Sequence, residues 1–167
     1  MRRPLVIANA DPEWPRLFER EAASVLTSVP GVGAVEHVGS TAVPGLAATP
    51  TIDLLAGAPD PAAVDAGALA ALGYAEVPDP EAVLPEAARR FFWKGTEAFQ
   101  TYHLHLVRHD DDLWRRFLAF RDRLRADLAL ADRYDHHKRQ ALRTAADGPA
   151  YAEAKAAFID GVLRGGA

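Results

Sequence analysis

The chain has 167 residues, 49% hydrophobic and 25% charged, enough to bury one good core and too few for two independent ones. Its net charge of −4 argues against a general nucleic-acid coat or a strongly basic membrane surface. The absence of cysteine excludes a disulfide framework and a thiolate metal site, so any metal must use His, Asp, Glu or backbone oxygen. The apolar run before Asp11 is too short for a signal-peptide core or a membrane span, and the expectation is a cytoplasmic protein with one domain over 1–167.

Asp11-Pro12-Glu13 starts a helix, supplying a cap, a proline at the first helical position and an acid in the first turn. Trp14, Leu17, Phe18, Ala22 and Val25 then recur at helical spacing until Pro30 and the glycines at 31 and 33 end it. AVEHV (34–38) reads as a strand running into a Gly39-Ser40 turn, and TIDLLAG (51–57) as its partner. Asp60-Pro61 opens an alanine-rich helix to about Leu72, and GYAEV (73–77) is a strand ended by a Pro-Asp-Pro turn at 78–80. ARRFFWKG (88–95) and TYHLHLV (101–107) form an antiparallel hairpin. From Asp110 the chain turns helical, near 111–129, 132–146 and 150–163, with an Asp-Gly-Pro break before the last. Tyr134 with Lys138, and Tyr151 with Lys155, each share one helix face. These elements predict an α/β (α+β) fold, a mixed sheet flanked by helices with a helical C-terminal part.

Side chains alternate across a strand, so Ile52 and Leu54 share one face and Thr51, Asp53 and Leu55 the other. The same rule sends Tyr102, Leu104 and Leu106 inward and His103, His105 and Val107 to the opposite side. In RRFFWKG it separates Phe91 and Trp93 from Arg90, Phe92 and Lys94. On one sheet, the expectation is a face that collects Asp53, His103, His105, Arg90 and Lys94. Such a face suits an anionic, phosphorylated ligand, with Asp53 able to hold a hard cation and Arg90 and Lys94 neutralising phosphate oxygens. Gly39 lets the backbone approach, and the Ser40 hydroxyl or amide can meet the phosphate. The alternative is a merely wet sheet face, but a carboxylate such as Asp53 within an apolar strand is costly unless partnered. Glu36 and His37 point to opposite faces, so at most one joins this cleft directly. The His136-His137-Lys138 run reads as a solvated helix face, because adjacent histidines diverge by about 100°.

The chain resembles the GrpB family, a group of the polymerase-beta-like nucleotidyltransferase superfamily. The resemblance lies in NADPEWPRLFERE (9–21), VEHVGSTAVPGLAATPTIDLL (35–55), RRFFWKG (89–95), YHLHLV (102–107) and YAEAKAAFI (151–159). Active enzymes of the wider fold carry a Gly-Ser turn, then two aspartates one residue apart, with a third carboxylate on a neighbouring strand. Here Gly39-Ser40 matches the turn and Asp53 the first aspartate, while Leu55 stands at the second and His103 or His105 where the third acid is wanted. Thr49 occupies the place of an expected lysine. The resemblance implies a nucleotidyltransferase-like sheet and a ligand set of Gly39, Ser40, Thr41, Arg90, Lys94 and Lys155. Asp53 and Ser40 would be the catalytic residues, and Asp53, His103 and His105 would hold one Mg²⁺ or Mn²⁺. Three activities stay open: a divergent nucleotidyltransferase, a non-catalytic module for a nucleotide or coenzyme-A-related ligand, and a single-metal hydrolase using Asp53, His103 and His105.

Overall fold

The computed structural model describes residues 6–77, 89–145 and 148–165. Its first helix, α1 (Trp14–Ser28), begins later than the Asp-Pro-Glu pattern predicts. The Asp11 carboxylate accepts from the Glu13 amide at 2.9 Å, which closes a turn before the helix, and Glu13 occupies the cap with Pro15 in the first turn.

Five strands follow in one sheet: β1 (Ala34–Val38), β2 (Ile52–Ala58), β3 (Tyr74–Val77), β4 (Arg90–Gly95) and β5 (Gln100–Arg108). Their spatial order is β1-β2-β5-β4-β3, with β2 and β5 parallel and the other neighbours antiparallel. The sheet is therefore mixed, and β2 sits between β1 and β5, where the side chains of TIDLL meet those of YHLHLV. The helix expected over 61–72 is split. Asp60 caps a 3-10 turn at Pro61–Ala63, Val64 is extended, and Asp65 caps the short α2 (Ala66–Ala71) by accepting from the Gly67 amide at 2.8 Å. The Pro-Asp-Pro turn at 78–80 lies outside the described residues.

Ile52, Leu54, Ala56, Phe92, Leu104 and Leu106 pack beneath α1 in the largest apolar cluster. On the opposite face Val38, Leu55 and Val107 are buried against Leu113 and Trp114 of α3 (Asp112–Ala126). The alternation read from the sequence thus holds on β2 and β5. On β4 the alternation holds but the face is reversed. Phe91 pairs with His105 and Trp93 with His103, and directly opposed residues share a face. Arg90, Phe92 and Lys94 consequently lie on the α1 side, opposite Leu106, Leu104 and Tyr102. Phe92 takes the core position, and a strand whose faces both carry aromatics does not declare its register from its own sequence.

The tail continues with α4 (Leu128–Thr144) and α5 (Gly148–Leu163). A single residue, Asp127, joins α3 to α4, and its carboxylate caps α4 by accepting from the Leu130 amide at 3.0 Å. Val43 and Leu46, from the segment between β1 and β2, enter the apolar cluster that the tail builds with Leu124, Leu130, Tyr134 and Val162. The tail thereby holds the segment that follows the Gly-Ser turn. Among the described residues no helix is long and apolar enough to cross a membrane.

Candidate functional site

The register sets Asp53 beside His103 on the neighbouring strand, with His105 two residues further along the same face. His103 Nδ1 lies 3.3 Å and His105 Nε2 3.7 Å from the same carboxylate oxygen, Asp53 Oδ1. The second nitrogen of each ring is also engaged. Gln100 Oε1 is 2.7 Å from His103 Nε2, and Arg89 Nη1 is 3.4 Å from His105 Nδ1. A continuous polar chain, Arg89–His105–Asp53–His103–Gln100, so crosses this face of the sheet. Thr51 extends it, donating its hydroxyl to the Gln100 carbonyl at 2.8 Å.

Burial by itself would raise the Asp53 pKa, but the hydrogen bonds from His103 and His105 outweigh it and hold the carboxyl well below the usual range. Burial pushes His105 below the ordinary imidazole value, with Arg89 adding to the shift and the bond to Asp53 opposing it. At neutral pH Asp53 is therefore a carboxylate, and the Arg89 contact fits the His105 tautomer that carries its proton on Nε2, toward Asp53.

The turn closes one side of the cluster. Gly39 adopts φ 73° and ψ −174°, a region that side chains resist, and a Cβ there would come within 2.3 Å of Asp53 Oδ2. Glycine is required twice over, by the backbone angle and by the approach of the carboxylate. Ser40 begins a 3-10 turn through Ala42 and is partly exposed, and its hydroxyl hydrogen-bonds none of the described residues. Thr41 is buried and faces away from the cluster, its hydroxyl 2.9 Å from His37 Nε2. His37 stacks on Phe18 with ring centroids 4.6 Å apart, and burial, aided by Arg125 and Arg121, lowers its pKa to about 4. Neither member of the Glu36-His37 pair touches Asp53 directly: Glu36 accepts from Arg121 at 2.7 Å. Arg125 then fixes the back of the turn by donating to the Ala42 carbonyl at 2.9 Å.

Two of the cations expected in the cleft lie elsewhere. Arg90 makes a two-pronged contact with Glu76 at 2.7 and 2.8 Å and donates to the carbonyls of Pro61 and Val64. Lys94 meets the Glu21 carboxylate at 2.9 and 3.1 Å between the rings of Tyr74 and Tyr102. Both belong to the α1 face because of the reversed register of β4. Lys155 lies on α5 with its ammonium 4.7 Å from the Tyr151 ring centre, and it forms no hydrogen bond or ion pair with the Asp53 cluster.

Two residues that the sequence reading does not place in the cleft do reach the region. Arg89 has the parity of Phe91 and Trp93, so choosing the face of either aromatic would have found it. Lys138 is 3% exposed, not solvated: it donates to the Ala47 carbonyl of the loop that follows the turn, and lies 5.1 Å from the Tyr134 ring centre. Burial lowers its pKa to about 8, against the pull of Asp135. The helical spacing of Tyr134, Lys138 and Ala141, all buried, is the signal that adjacency to two histidines obscured. His136 is exposed as expected, whereas His137 bonds the Ala154 carbonyl at 2.8 Å.

Leu55, at the position of a second carboxylate, is fully buried against Val38, Val107, Leu113 and Trp114, so an acid there would be desolvated beneath α3. One carboxylate with two imidazoles does not suit Mg²⁺, which prefers oxygen ligands, and both rings point their nitrogens at a single Asp53 oxygen rather than at a common vacant point. Among the described residues no three His, Asp or Glu side chains are arranged to hold an ion.

The family model described as GrpB protein matches residues 4–164. A UPF0157 protein of Pseudomonas aeruginosa is 39% identical over 94% of this chain, which spans only 65% of that relative's length. A UPF0157 protein of Halalkalibacterium halodurans is 34% identical, over 96% of this chain and 81% of its own. The crystal structure of the conserved protein GrpB from Enterococcus faecalis aligns with TM-score 0.80 and 30% identity, covering 96% of both chains.

Proposed function

Because the chain belongs to the GrpB family, and three of the segments that carry the resemblance supply one polar cluster, we propose that the cleft over Asp53, His103 and His105 binds a phosphorylated small molecule or nucleotide. The observation that carries this reading is the chain Arg89–His105–Asp53–His103–Gln100 crossing one sheet face beside a glycine turn. Perturbed, interacting titratable groups in a partly open setting are what a binding site for a charged ligand requires. Asp53 keeps a quarter of its side-chain surface exposed, and His103 and His105 keep 19% and 13%.

In this reading Arg89 supplies positive charge to the phosphate, and Asp53 orients the two imidazole rings beside it. The Ser40 hydroxyl, at the open end of the turn, takes a phosphate oxygen. Two-ion nucleotidyl transfer needs bridging carboxylates; Leu55 occupies one such place, and Glu36, on the same face, is tied to Arg121. Recognition is therefore the function the geometry supports best.

The test is a melting-temperature screen of inorganic phosphate, pyrophosphate, nucleotides and coenzyme A, each with and without Mn²⁺ or Mg²⁺. A ligand at a hundred times its Kd stabilises by about 2.7 kcal/mol, easily seen as a shift. Stabilisation by a phosphorylated compound without added metal, abolished in Asp53→Ala, is the expected result. Stabilisation by the metal alone would favour the single-ion hydrolase, and pyrophosphate release from a triphosphate would favour transfer. No shift with any compound would overturn the proposal.

A further inference from the structure

The strand register draws a second feature into line with the cluster. Across the sheet on one face the paired positions run Val38, Asp53, His103, Trp93 and Ala75, one from each strand in spatial order. Trp93 is thus the immediate neighbour of His103 and lies two strands, roughly 10 Å, from Asp53. Its neighbour on the edge strand is Ala75, which is exposed and too small to cover an indole. The main contacts of α3 on this face are with β1, β2 and β5. Trp93 is left half-buried, with no ring contact or hydrogen bond to any described residue.

This differs from the other aromatic groups beside the cluster. Phe91 is packed against both imidazoles with centroids 5.1 Å away, and Phe117 of α3 closes on His105 at 5.1 Å. Those rings wall the cluster, whereas the partly exposed indole of Trp93 continues it outward along the sheet. Trp14 and Trp114, the other two tryptophans, are 5% and 4% exposed and belong to the core. A large amphipathic ring without a ring contact or hydrogen bond among the described residues, next to the polar chain of His103 and Asp53, suits a ligand that carries a planar ring beside an anionic group.

Resting on the reading of the cleft given above, we infer that Trp93 is the stacking platform for a planar heteroaromatic ring of the phosphorylated ligand, and that it selects ring-bearing phosphates over simple ones. The anion lies over His103, His105 and Arg89. The spacing of one to two strands is bridged by whatever links phosphate to ring, as a sugar does in a nucleotide. Stacking of a base on an aromatic side chain tolerates different bases, because each presents a π face, so the platform discriminates by the presence of a ring more than by its identity.

The experiment titrates adenosine monophosphate, ribose 5-phosphate and inorganic phosphate into the protein and into its Trp93→Ala and Trp93→Phe variants, by calorimetry and by tryptophan fluorescence. The inference expects adenosine monophosphate to bind wild type at least ~10-fold more tightly than ribose 5-phosphate, the scale of one base stack, and to quench the indole emission. Trp93→Ala should abolish that difference while leaving ribose 5-phosphate affinity unchanged, and Trp93→Phe should keep most of it. Equal affinities for the two compounds in wild type, or unchanged adenosine monophosphate affinity in Trp93→Ala, would overturn the ring subsite and leave the phosphate reading standing. Failure of all three probes to bind would overturn both.

Discussion

The two faces of the sheet use charge in opposite ways. On the α1 face each cation is closed on its own acid: Lys94 on Glu21 between two tyrosines, and Arg90 on Glu76 with two backbone carbonyls filling its remaining donors. On the α3 face one carboxylate, Asp53, is shared by two imidazoles, and Arg89 approaches the far side of one of them. Adjacent residues of one segment, Arg89 and Arg90, thereby enter two different arrangements. Closed pairs fix the packing of β3, β4 and α1, whereas on the second face one carboxylate serves two rings. The comparison predicts that substitutions on the first face change stability alone, and that those on the second change binding first.

The sharpest break comes where the second face meets the turn. Gly39→Ala forces a Cβ onto Asp53 Oδ2 and a side chain into a glycine-only backbone region, which costs about 3 kcal/mol or more. Denaturant unfolding should show that loss together with loss of ligand binding, whereas Gly33→Ala, whose Cβ would meet nothing within 4 Å, should stay within about 0.5 kcal/mol of wild type.

Lys138 gives a prediction with a definite sign. Its pKa falls from an ordinary 10.5 to about 8, so below pH 8 the amine is charged in both states and the fold carries the whole cost of burying it. Between pH 8 and 10.5 the unfolded chain binds the proton that the native chain has released, and this group's contribution to stability rises with pH. Relative to Lys138→Met, wild type should gain up to about 3 kcal/mol between pH 7 and pH 11 in unfolding titrations. A flat difference would mean that the buried amine keeps its proton as firmly as the unfolded one does.

On the closed face, Lys94→Met leaves the nearly buried Glu21 carboxylate without its ammonium and should cost about 2 kcal/mol, because one partner of a partly buried pair is stranded. Glu21→Gln in the same chain should recover part of it, and ligand affinity should be unmoved in both. The smallest stability effect belongs to Asp53→Asn, about 1–2 kcal/mol at pH 7 from the lost charged hydrogen bonds. Since the folded Asp53 is more acidic than the unfolded one, its contribution is present above the unfolded pKa and drains away as the pH falls below about 4. The gap between wild type and Asp53→Asn should close over that acid range, while the loss of ligand binding at pH 7 is much the larger effect.

The strands and the Asp53 cluster were legible because the faces of β2 and β5 follow from one pattern, apolar at 52, 54, 104 and 106 and polar at 53, 103 and 105. Arg90 and Lys94 were misplaced because alternation within β4 is local, whereas its face is set by pairing with β5, and a strand reading Arg-Phe-Phe-Trp-Lys is apolar on both sides. Lys138 was hidden for a different reason. A lysine is read as solvated until a carbonyl from distant sequence accepts its proton, and that of Ala47 is 91 residues away in the chain. The broken helix at Val64 reflects two Asp caps competing for one short segment, where local chemistry overruled alanine-rich propensity.

The most direct measurement compares Arg89→Ala with Arg90→Ala, adjacent residues on opposite faces, for pyrophosphate binding by calorimetry and for stability by denaturant unfolding. The account predicts that Arg89→Ala weakens binding at least ~10-fold, as loss of one charge-assisted contact does. Arg90→Ala should lose about 2 kcal/mol of stability, the worth of its hydrogen bonds to Glu76 and the backbone, and bind as wild type does. Unimpaired binding in Arg89→Ala, or a binding defect confined to Arg90→Ala, would contradict the placement of the site on the Asp53 face.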